Sequence, residues 1–295
     1  MSRSASCRWA SWVVGCALAC AAADILPPER NDLPTAEELE RLGARIGAIY
    51  IVAAPIFATD DPRENNPLYR AANRLHVDTR ESAIRAQLLF ASGQRFEQRL
   101  LDETARNLRR LRYVREPQIR PIAWHDGVVD IEVRTQDVWT LNPGLSFGRS
   151  GGANKTGAEF EDLNFLGRGK HASVGYIDGP DGSSVLLRWR DPNILGTRWS
   201  SDLAFEDRDR GSDWAAQIAK PFVSLQSRSS VGLTIGAGEH VARRYRLGQL
   251  RDEYRAAHRD ADLTAGWSKG LQAGWVRRWY AGLRVEEDEF AAMPG

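Results

Sequence analysis

Apolar and polar residues alternate along the second half of the chain. Trp199, Leu203 and Phe205 fall on one side of a predicted strand and Asp202 falls on the other, because successive side chains of a strand point to opposite faces. The segment 278–286 repeats this alternation. The pattern therefore predicts antiparallel strands with one apolar face and one charged face.

A turn motif divides these strands at a regular spacing. It reads D-L-N-F-L-G-R over residues 162–168, returns 29 residues later as D-P-N-I-L-G-T over residues 191–197, and the same step reaches Lys220-Pro221-Phe222. Asn, Pro and Gly at fixed offsets favour turns. Each period holds two strands and two turns, which predicts an up-and-down meander. The predicted turn residues are Asp162, Asn164, Gly167, Gly169, Asp191, Pro192, Asn193 and Gly196.

The alternation fits two kinds of all-β protein. A soluble sandwich alternates as well, because each of its sheets has an inner and an outer face. A membrane barrel is favoured here by the charged face and by tryptophans near the predicted strand ends, since such barrels carry aromatic girdles and a polar lumen. No apolar run reaches the ~20 residues that a spanning helix needs. The tryptophans concerned are Trp139, Trp189, Trp199, Trp214, Trp275 and Trp279.

The first residues have the pattern of an export signal. Two arginines flank the start, the apolar run Trp9–Leu18 follows, and Ala21–Ala23 supplies small residues for cleavage. Residues 1–23 are therefore predicted to be a signal peptide. All three cysteines lie within it, so the mature chain would have no disulfide and no thiol chemistry. Residues 24–41 are polar and proline-containing, and are predicted to be a linker.

Residues 42–138 show a different pattern, typical of a small α+β domain. Gly93 separates two stretches of helical spacing, and Asp126-Gly127 is a strong hairpin signal between two later strands. The predicted order is β-α-α-β-β. The elements are Ile46–Phe57, a helix around Ile84–Leu89, a helix over Phe96–Leu111, Val114–Ala123 and Val128–Val138.

This order of elements resembles a known family. The segments Ser92–Val114 and Asp126–Val133 resemble a POTRA domain, and N-F-L-G-R-G-K, R-D-P-N-I-L-G-T-R and K-P-F resemble periplasmic turns of the barrel that follows such domains. The chain thus resembles the Omp85 superfamily, the group of BamA and TamA, over roughly residues 43–290. The resemblance implies a POTRA-like α+β domain in the periplasm, followed over residues 139–295 by an antiparallel transmembrane β-barrel in the bacterial outer membrane.

The resemblance also implies a function without catalytic residues or cofactors. Such proteins insert or translocate unfolded outer-membrane or secreted polypeptides, with outer-membrane lipid and accessory periplasmic proteins as further partners. A client strand could add to the edge of the POTRA-like sheet, predicted to be Val114–Ala123. The first barrel strand, Trp139–Phe147, would form one side of a lateral gate. The candidate client-binding residues are Val114, Ile119, Ile122, Trp139, Leu141, Leu145 and Phe147.

The barrel expected from this sequence is incomplete. The 157 residues from Trp139 onward accommodate about ten strands, fewer than the resemblance implies. A V-R-G-F/Y motif is absent, and residues 291–295 do not resemble a final strand with a terminal aromatic residue. We therefore expect a fragment of a longer protein. The alternatives are a smaller closed barrel, a transport-incompetent structural or pore-forming barrel, and a truncated relative without activity.

Other chemical motifs in the sequence are weak. Residues 144–148 match G-x-S-x-G and would make Ser146 a hydrolase nucleophile, but that motif needs a strand, a sharp turn and then a helix. Residues 167–170 lack the earlier glycine of a phosphate loop, because position 164 is Asn. The five histidines are scattered without ligand spacing. The sequence thus predicts no enzyme and no metal site, and a net charge of +1 predicts no attraction to nucleic acid.

Overall fold

Two β-sheets organise the chain, one before residue 138 and one after residue 140. The predicted signal peptide, residues 1–23, lies outside the described residues, as does the first half of the predicted linker, residues 24–32. The computed structural model describes residues 33–150, 153–179, 182–247 and 249–292.

The first sheet has three strands in the order β1-β3-β2, with β1 parallel and β2 antiparallel to the central strand. Asp126 and Gly127 form the tight turn between β2 and β3 with positive φ at both positions, as the Asp-Gly signal predicts. The elements of this α+β unit are α1 (Ala36–Arg41), β1 (Arg45–Ala54), α2 (Pro67–Leu75), α3 (Glu81–Arg85), α4 (Gln98–Arg109), β2 (Val114–His125) and β3 (Val128–Asp137).

The core of the α+β unit lies between its helices and one face of its sheet. Leu101 and Leu108, seven residues apart on α4, are buried on the same helix face against the central strand. Full burial of each such side chain contributes about 1.5–3 kcal/mol. The fully buried apolar residues at this interface are Leu39, Ile46, Ile84, Phe96, Leu101, Leu108, Val129, Ile131 and Val133.

Three predictions for this unit were wrong in detail. The helix expected around Ile84–Leu89 ends at Arg85, and the chain then runs irregularly to Gly93, whose amide donates to the Ile46 carbonyl of β1 at 2.7 Å. The predicted linker contains α1, whose Leu39 is fully buried, so the folded unit begins before residue 42. The third difference is α2, Pro67–Leu75, for which the sequence analysis assigned no element.

The second sheet is the predicted up-and-down meander. Its nine strands pair in sequential order, each antiparallel to the next. They are β4 (Leu141–Ser150), β5 (Ala153–Asp162), β6 (His171–Gly179), β7 (Gly182–Asp191), β8 (Ser200–Arg208), β9 (Gly211–Lys220), β10 (Ser229–Arg246), β11 (Gln249–Gln272) and β12 (Trp275–Ala292).

The two faces of this sheet differ as the alternation predicts. One face exposes apolar side chains in a continuous band, including those of Leu187, Phe205 and Leu263. The other face carries ion pairs, among them two arginines of β7 that bind Asp202 of β8. Among the described residues the nine strands form one sheet, and no second sheet packs on its apolar face as the soluble sandwich considered from the sequence would require.

The last three strands are longer than the sequence suggested, with 18, 24 and 18 residues. For this reason the second half of the chain forms nine strands rather than about ten. The strand order is linear, with β4 at one edge and β12 at the other. Within the described residues, neither edge strand pairs on its outer side. No described helix has the length and apolar character needed to cross a membrane.

Candidate functional site

The repeated motif forms the same turn twice, at one end of the nine-stranded sheet. The Asn164 amide donates to Asp162 Oδ1 at 2.9 Å, and the Asn193 amide donates to Asp191 Oδ1 at 3.0 Å. Leu166 and Leu195, at equivalent positions, both adopt positive φ, which is uncommon for residues other than glycine. The sequence repeat is therefore a structural repeat, and these turns face the α+β unit.

The first turn binds the segment that connects α2 and α3. The Asn164 side-chain amide donates to Thr79 Oγ1 at 2.7 Å, and the Arg80 amide donates to the Gly167 carbonyl at 2.8 Å. A Cβ atom on Gly167 would lie 2.2 Å from the Asp78 carbonyl oxygen. Only glycine fits this close backbone approach. The first turn and the α2–α3 segment are therefore held together by two hydrogen bonds and by direct backbone packing.

The second turn binds the residues that follow α3. The Gln87 side-chain amide donates to Asn193 Oδ1, and the Arg198 guanidinium donates to the carbonyls of Ala86, at 3.2 Å, and Leu88. Burial lowers the pKa of Arg198, although two carbonyl acceptors compensate its loss of water. This turn therefore fixes the end of α3 by polar contacts rather than by close backbone packing.

The loop between β9 and β10 provides a third contact, with α4. The Leu225 amide donates to Glu103 Oε1 at 2.6 Å, and the Asn107 side-chain amide donates to the Val223 carbonyl at 2.9 Å. Glu103 is buried, so its hydrogen bond is shielded from water. Three successive turns of the sheet thus hold the α+β unit at three separate places.

A buried polar cluster lies beneath the first turn. Asp137 Oδ2 lies 2.9 Å from His76 Nε2 and accepts from the Thr79 amide at 2.7 Å. The His76 and Asp137 side chains are only 3% and 1% exposed. Burial, and then the charge of Asp137, raise the pKa of Tyr113 above its ordinary value, so its phenol stays neutral. This cluster connects the end of β3 to the segment that the first turn binds.

The same cluster contains the three side chains best placed to hold a cation. The donor atoms of His76, Asp78 and Asp137 lie within 4.8 Å of one another, whereas the sequence predicted no metal site. Sequence reasoning missed this group because His76 and Asp137 are 61 residues apart and meet only through the fold. Both hydrogen bonds of the Asp137 carboxylate, with His76 and Thr79, involve Oδ2, whereas Oδ1 is buried without a partner among the described residues.

The predicted edge strand of the α+β unit is an edge in the structure. The outer side of β1 is covered at its start, where the Phe96 amide donates to the Ala44 carbonyl at 2.7 Å, whereas β2 pairs only with β3. Val114 and Ile122 are buried, and Ile119 packs against the core. These three side chains therefore pack in the core, and a client strand would bind β2 through the backbone groups of its free edge.

Two irregularities interrupt the edge of β2. An additional residue occurs between Arg115 and Gln118, where Glu116 has a positive φ, and another occurs between Pro121 and Ala123. Bulges and prolines at an edge limit pairing with other chains. The longest uninterrupted register is Gln118–Pro121, and a shorter one covers Ala123–His125, so this edge could add only a short client segment.

The other predicted client strand is the free edge of the larger sheet. β4 begins at Leu141 rather than at Trp139, whose indole donates to the Leu141 carbonyl at 2.6 Å. Leu145 and Phe147 are 76% and 79% exposed on the apolar side. The Val138 amide donates to the Tyr113 carbonyl at 3.2 Å, which brings the start of β2 next to the start of β4.

The weak motifs of the sequence have structural roles only. Ser146 lies inside β4 opposite Gly157 of β5, without the turn into a helix that a nucleophile needs. Residues 167–170 belong to the first turn, where a Cβ on Gly169 would lie 2.6 Å from the Tyr113 hydroxyl. Neither motif forms a catalytic site in the described part of the chain.

Comparisons with known proteins give one curated relative and two solved structures of interest. No family model matches the chain. A protein named "Putative outer membrane protein assembly factor" from Treponema pallidum (strain Nichols) is 28% identical over 137 residues, which are 44% of this chain and 16% of the relative.

Two solved structures also align with most of the chain. BamA from Haemophilus ducreyi lacking POTRA domains 1–3 aligns with 80% of this chain and 48% of its own, at 15% identity and a TM-score of 0.42. CdiB from Acinetobacter baumannii aligns with 84% of this chain and 46% of its own, at 10% identity and a TM-score of 0.45. This chain spans less than half the length of each of these proteins. By its name the curated relative is an outer-membrane protein assembly factor, in line with the resemblance to the Omp85 superfamily predicted from the sequence.

Proposed function

We propose that this chain is part of an Omp85-type outer-membrane protein that helps to insert or translocate polypeptides. The observation that carries the proposal is the junction described above. Three turns hold the α+β unit at one end of a nine-stranded sheet, next to the unpaired edge of β4. A client bound at the unit would therefore be delivered beside a strand with free backbone groups.

The domain assignment forms part of this proposal. The observed order α-β-α-α-α-β-β, which adds α1 and α2 to the predicted β-α-α-β-β, and the sheet order β1-β3-β2 support a POTRA-like periplasmic domain that ends near residue 138. The sequential antiparallel strands, with an apolar outer band and ion pairs on the inner face, support the first strands of a membrane barrel. The junction turns would then lie on the periplasmic side of the outer membrane.

The mechanism needs backbone pairing and no catalytic group. An extended client would first pair with the short regular stretch of β2, and then with the free edge of β4. Unpaired backbone groups in hydrocarbon cost several kcal/mol each, so the β4 edge gains free energy when a client strand covers it. Pro143 within β4 has no amide hydrogen to donate, which limits the stability of the pairing and favours later release.

Accessory periplasmic proteins would act at the α+β unit, because its remaining surface faces away from the membrane.

The second candidate function is a structural or pore-forming barrel without transport activity. The bulges and prolines of β2 favour this alternative, since they shorten the edge that a client would use.

Depletion of the protein in its native bacterium separates the two functions. An assembly or transport role predicts that folded β-barrel proteins of the outer membrane, or one secreted polypeptide, decline as the protein is depleted. The measurement is the heat-modifiable electrophoretic mobility of outer-membrane proteins together with the composition of the secreted fraction. Unchanged profiles in both fractions would favour the structural barrel.

A further inference from the structure

A groove of about 500 Å³ lies at the turn between β11 and β12. Three tryptophans and two cations line it, and the tryptophans are among the exposed apolar residues of the protein. Indole rings concentrate where an apolar phase meets water. The five residues are Trp267, Lys269, Trp275, Arg277 and Trp279.

The strand register places these residues at the end of the apolar band. Trp267 of β11 lies opposite Trp279 of β12, in line with the exposed pair Leu263 and Leu283. Arg277 is two residues from Trp279 and shares its face of the strand. The groove thus lies at the end of the apolar face, and the positively charged side chains of Lys269 and Arg277 lie beside its indole rings.

The two cations in the groove have no acidic partner. Within the described parts of the chain, neither Lys269 nor Arg277 forms a salt bridge or a hydrogen bond. The neighbouring Arg278 is different, because it donates to the Ser224 carbonyl at 3.2 Å and stacks 4.8 Å above the Phe222 ring. At the opposite end of the band, Arg259 lies 4.0 Å from Glu287. The cations at the groove are therefore available to meet an external anion.

The groove also lies at a definite end of the sheet. In an up-and-down meander every second connection lies at the same end of the sheet. The turn at residues 273–274 therefore lies at the same end of the sheet as the three loops that bind the α+β unit. If the unit is periplasmic, as the proposed function holds, the groove lies at the headgroup level of the periplasmic leaflet.

We infer that this groove binds the phosphate headgroup of an anionic phospholipid. Lys269 and Arg277 contact the phosphate, while the three indoles pack against the glycerol backbone and the first methylenes of the acyl chains. Cations beside an apolar surface attract anionic lipids, and Arg can donate two hydrogen bonds to one phosphate. The inference rests on the proposed function for the position of the membrane, and adds a lipid-binding site that backbone pairing with a client does not require.

The test is photocrosslinking of the protein in vesicles with equal amounts of phosphatidylcholine and phosphatidylglycerol. Either lipid carries the photoactivatable group, and crosslinked peptides are identified by mass spectrometry. We expect phosphatidylglycerol to exceed phosphatidylcholine at residues 265–280. The combined Lys269→Gln and Arg277→Gln variant should lower the ratio by about fivefold for each cation removed. The charge-conserving double variant Lys269→Arg and Arg277→Lys should retain the lipid ratio. The control variant Arg259→Gln, at the other end of the band, should leave the ratio unchanged.

Different failures have different meanings. Equal crosslinking by both lipids at this groove, with normal lipid crosslinks at Leu263 and Leu283, would overturn the headgroup site and leave the membrane assignment intact. Loss of the preference for phosphatidylglycerol when inorganic phosphate is added would show that the groove binds a free anion. This result would also overturn the headgroup site. Absence of lipid crosslinks along the whole apolar band would overturn the membrane assignment together with the headgroup site.

Discussion

Replacing Gly167 with alanine is expected to detach the first turn from the α+β unit. The new Cβ would lie 2.2 Å from the Asp78 carbonyl oxygen. That oxygen belongs to the backbone, and the position of the Cβ is set by the backbone of residue 167, so relieving the clash would disturb the nearby Arg80–Gly167 hydrogen bond. Forced packing of this kind costs roughly 1–3 kcal/mol beyond the strain of a positive φ. The junction would then open more often, and trypsin would cleave after Arg80 or Arg168 roughly tenfold faster or more.

The repeat supplies a matched control at the second turn. Gly196 has nearly the same backbone conformation, with φ of 74° against 69° at Gly167, but nothing lies within 4 Å of the Cβ it would acquire. Gly196→Ala therefore carries the same conformational cost without the collision. Equal trypsin sensitivity of the two variants would contradict the close contact between Gly167 and the Asp78 carbonyl.

Replacing Asp137 with alanine is expected to destabilise the α+β unit and the junction together. The change leaves the buried His76 ring and the Thr79 amide without their shared acceptor. Leaving a buried donor without its hydrogen-bond acceptor costs about 1–3 kcal/mol. Chemical denaturation followed by the fluorescence of Trp124, which packs against the core of the unit, should show the loss.

Asp78 provides the comparison for this substitution. Its side chain is exposed two residues from His76 and forms no hydrogen bond within the described residues, while its carbonyl contacts the first turn. Asp78→Ala keeps that carbonyl, and we expect a change within about 0.5 kcal/mol. A large loss in Asp78→Ala, or none in Asp137→Ala, would show that the His76–Asp137 pair does not hold the junction.

Local sequence signals predicted the sheet well. Strict alternation fixed the two faces of β8 and β12, and the spacing from Asp162 to Asp191 located two identical turns. Both signals are local, because a strand needs only its period and an Asx turn needs residues two apart. The miss at α2 was avoidable, since Asn66 followed by Pro67 is a helix-start signal and Asn66 caps the helix as such a signal predicts.

The candidate site was less predictable, because it depends on contacts distant in sequence. Asn164 was identified as a turn residue, but its hydrogen bond to Thr79 joins positions 85 apart. Val114 and Ile122 were predicted to be client-binding residues of an edge strand, and the sequence did not show that their side chains are buried. Alternation identifies the apolar face of a strand, but it does not indicate whether that face packs against a protein core, contacts lipid or binds a client.

The most direct test of the proposed function is photocrosslinking at the free edge of β4. A crosslinker placed at Leu145 should capture an outer-membrane or secreted polypeptide during its assembly, because β4 pairs only with β5 among the described strands. The same group at Leu203 is the control, since that residue is exposed on the same apolar face of β8 but β8 is paired on both sides. Capture from Leu145 without capture from Leu203 is the predicted result. No capture from either position, or equal capture from both, would contradict a client-binding edge at β4.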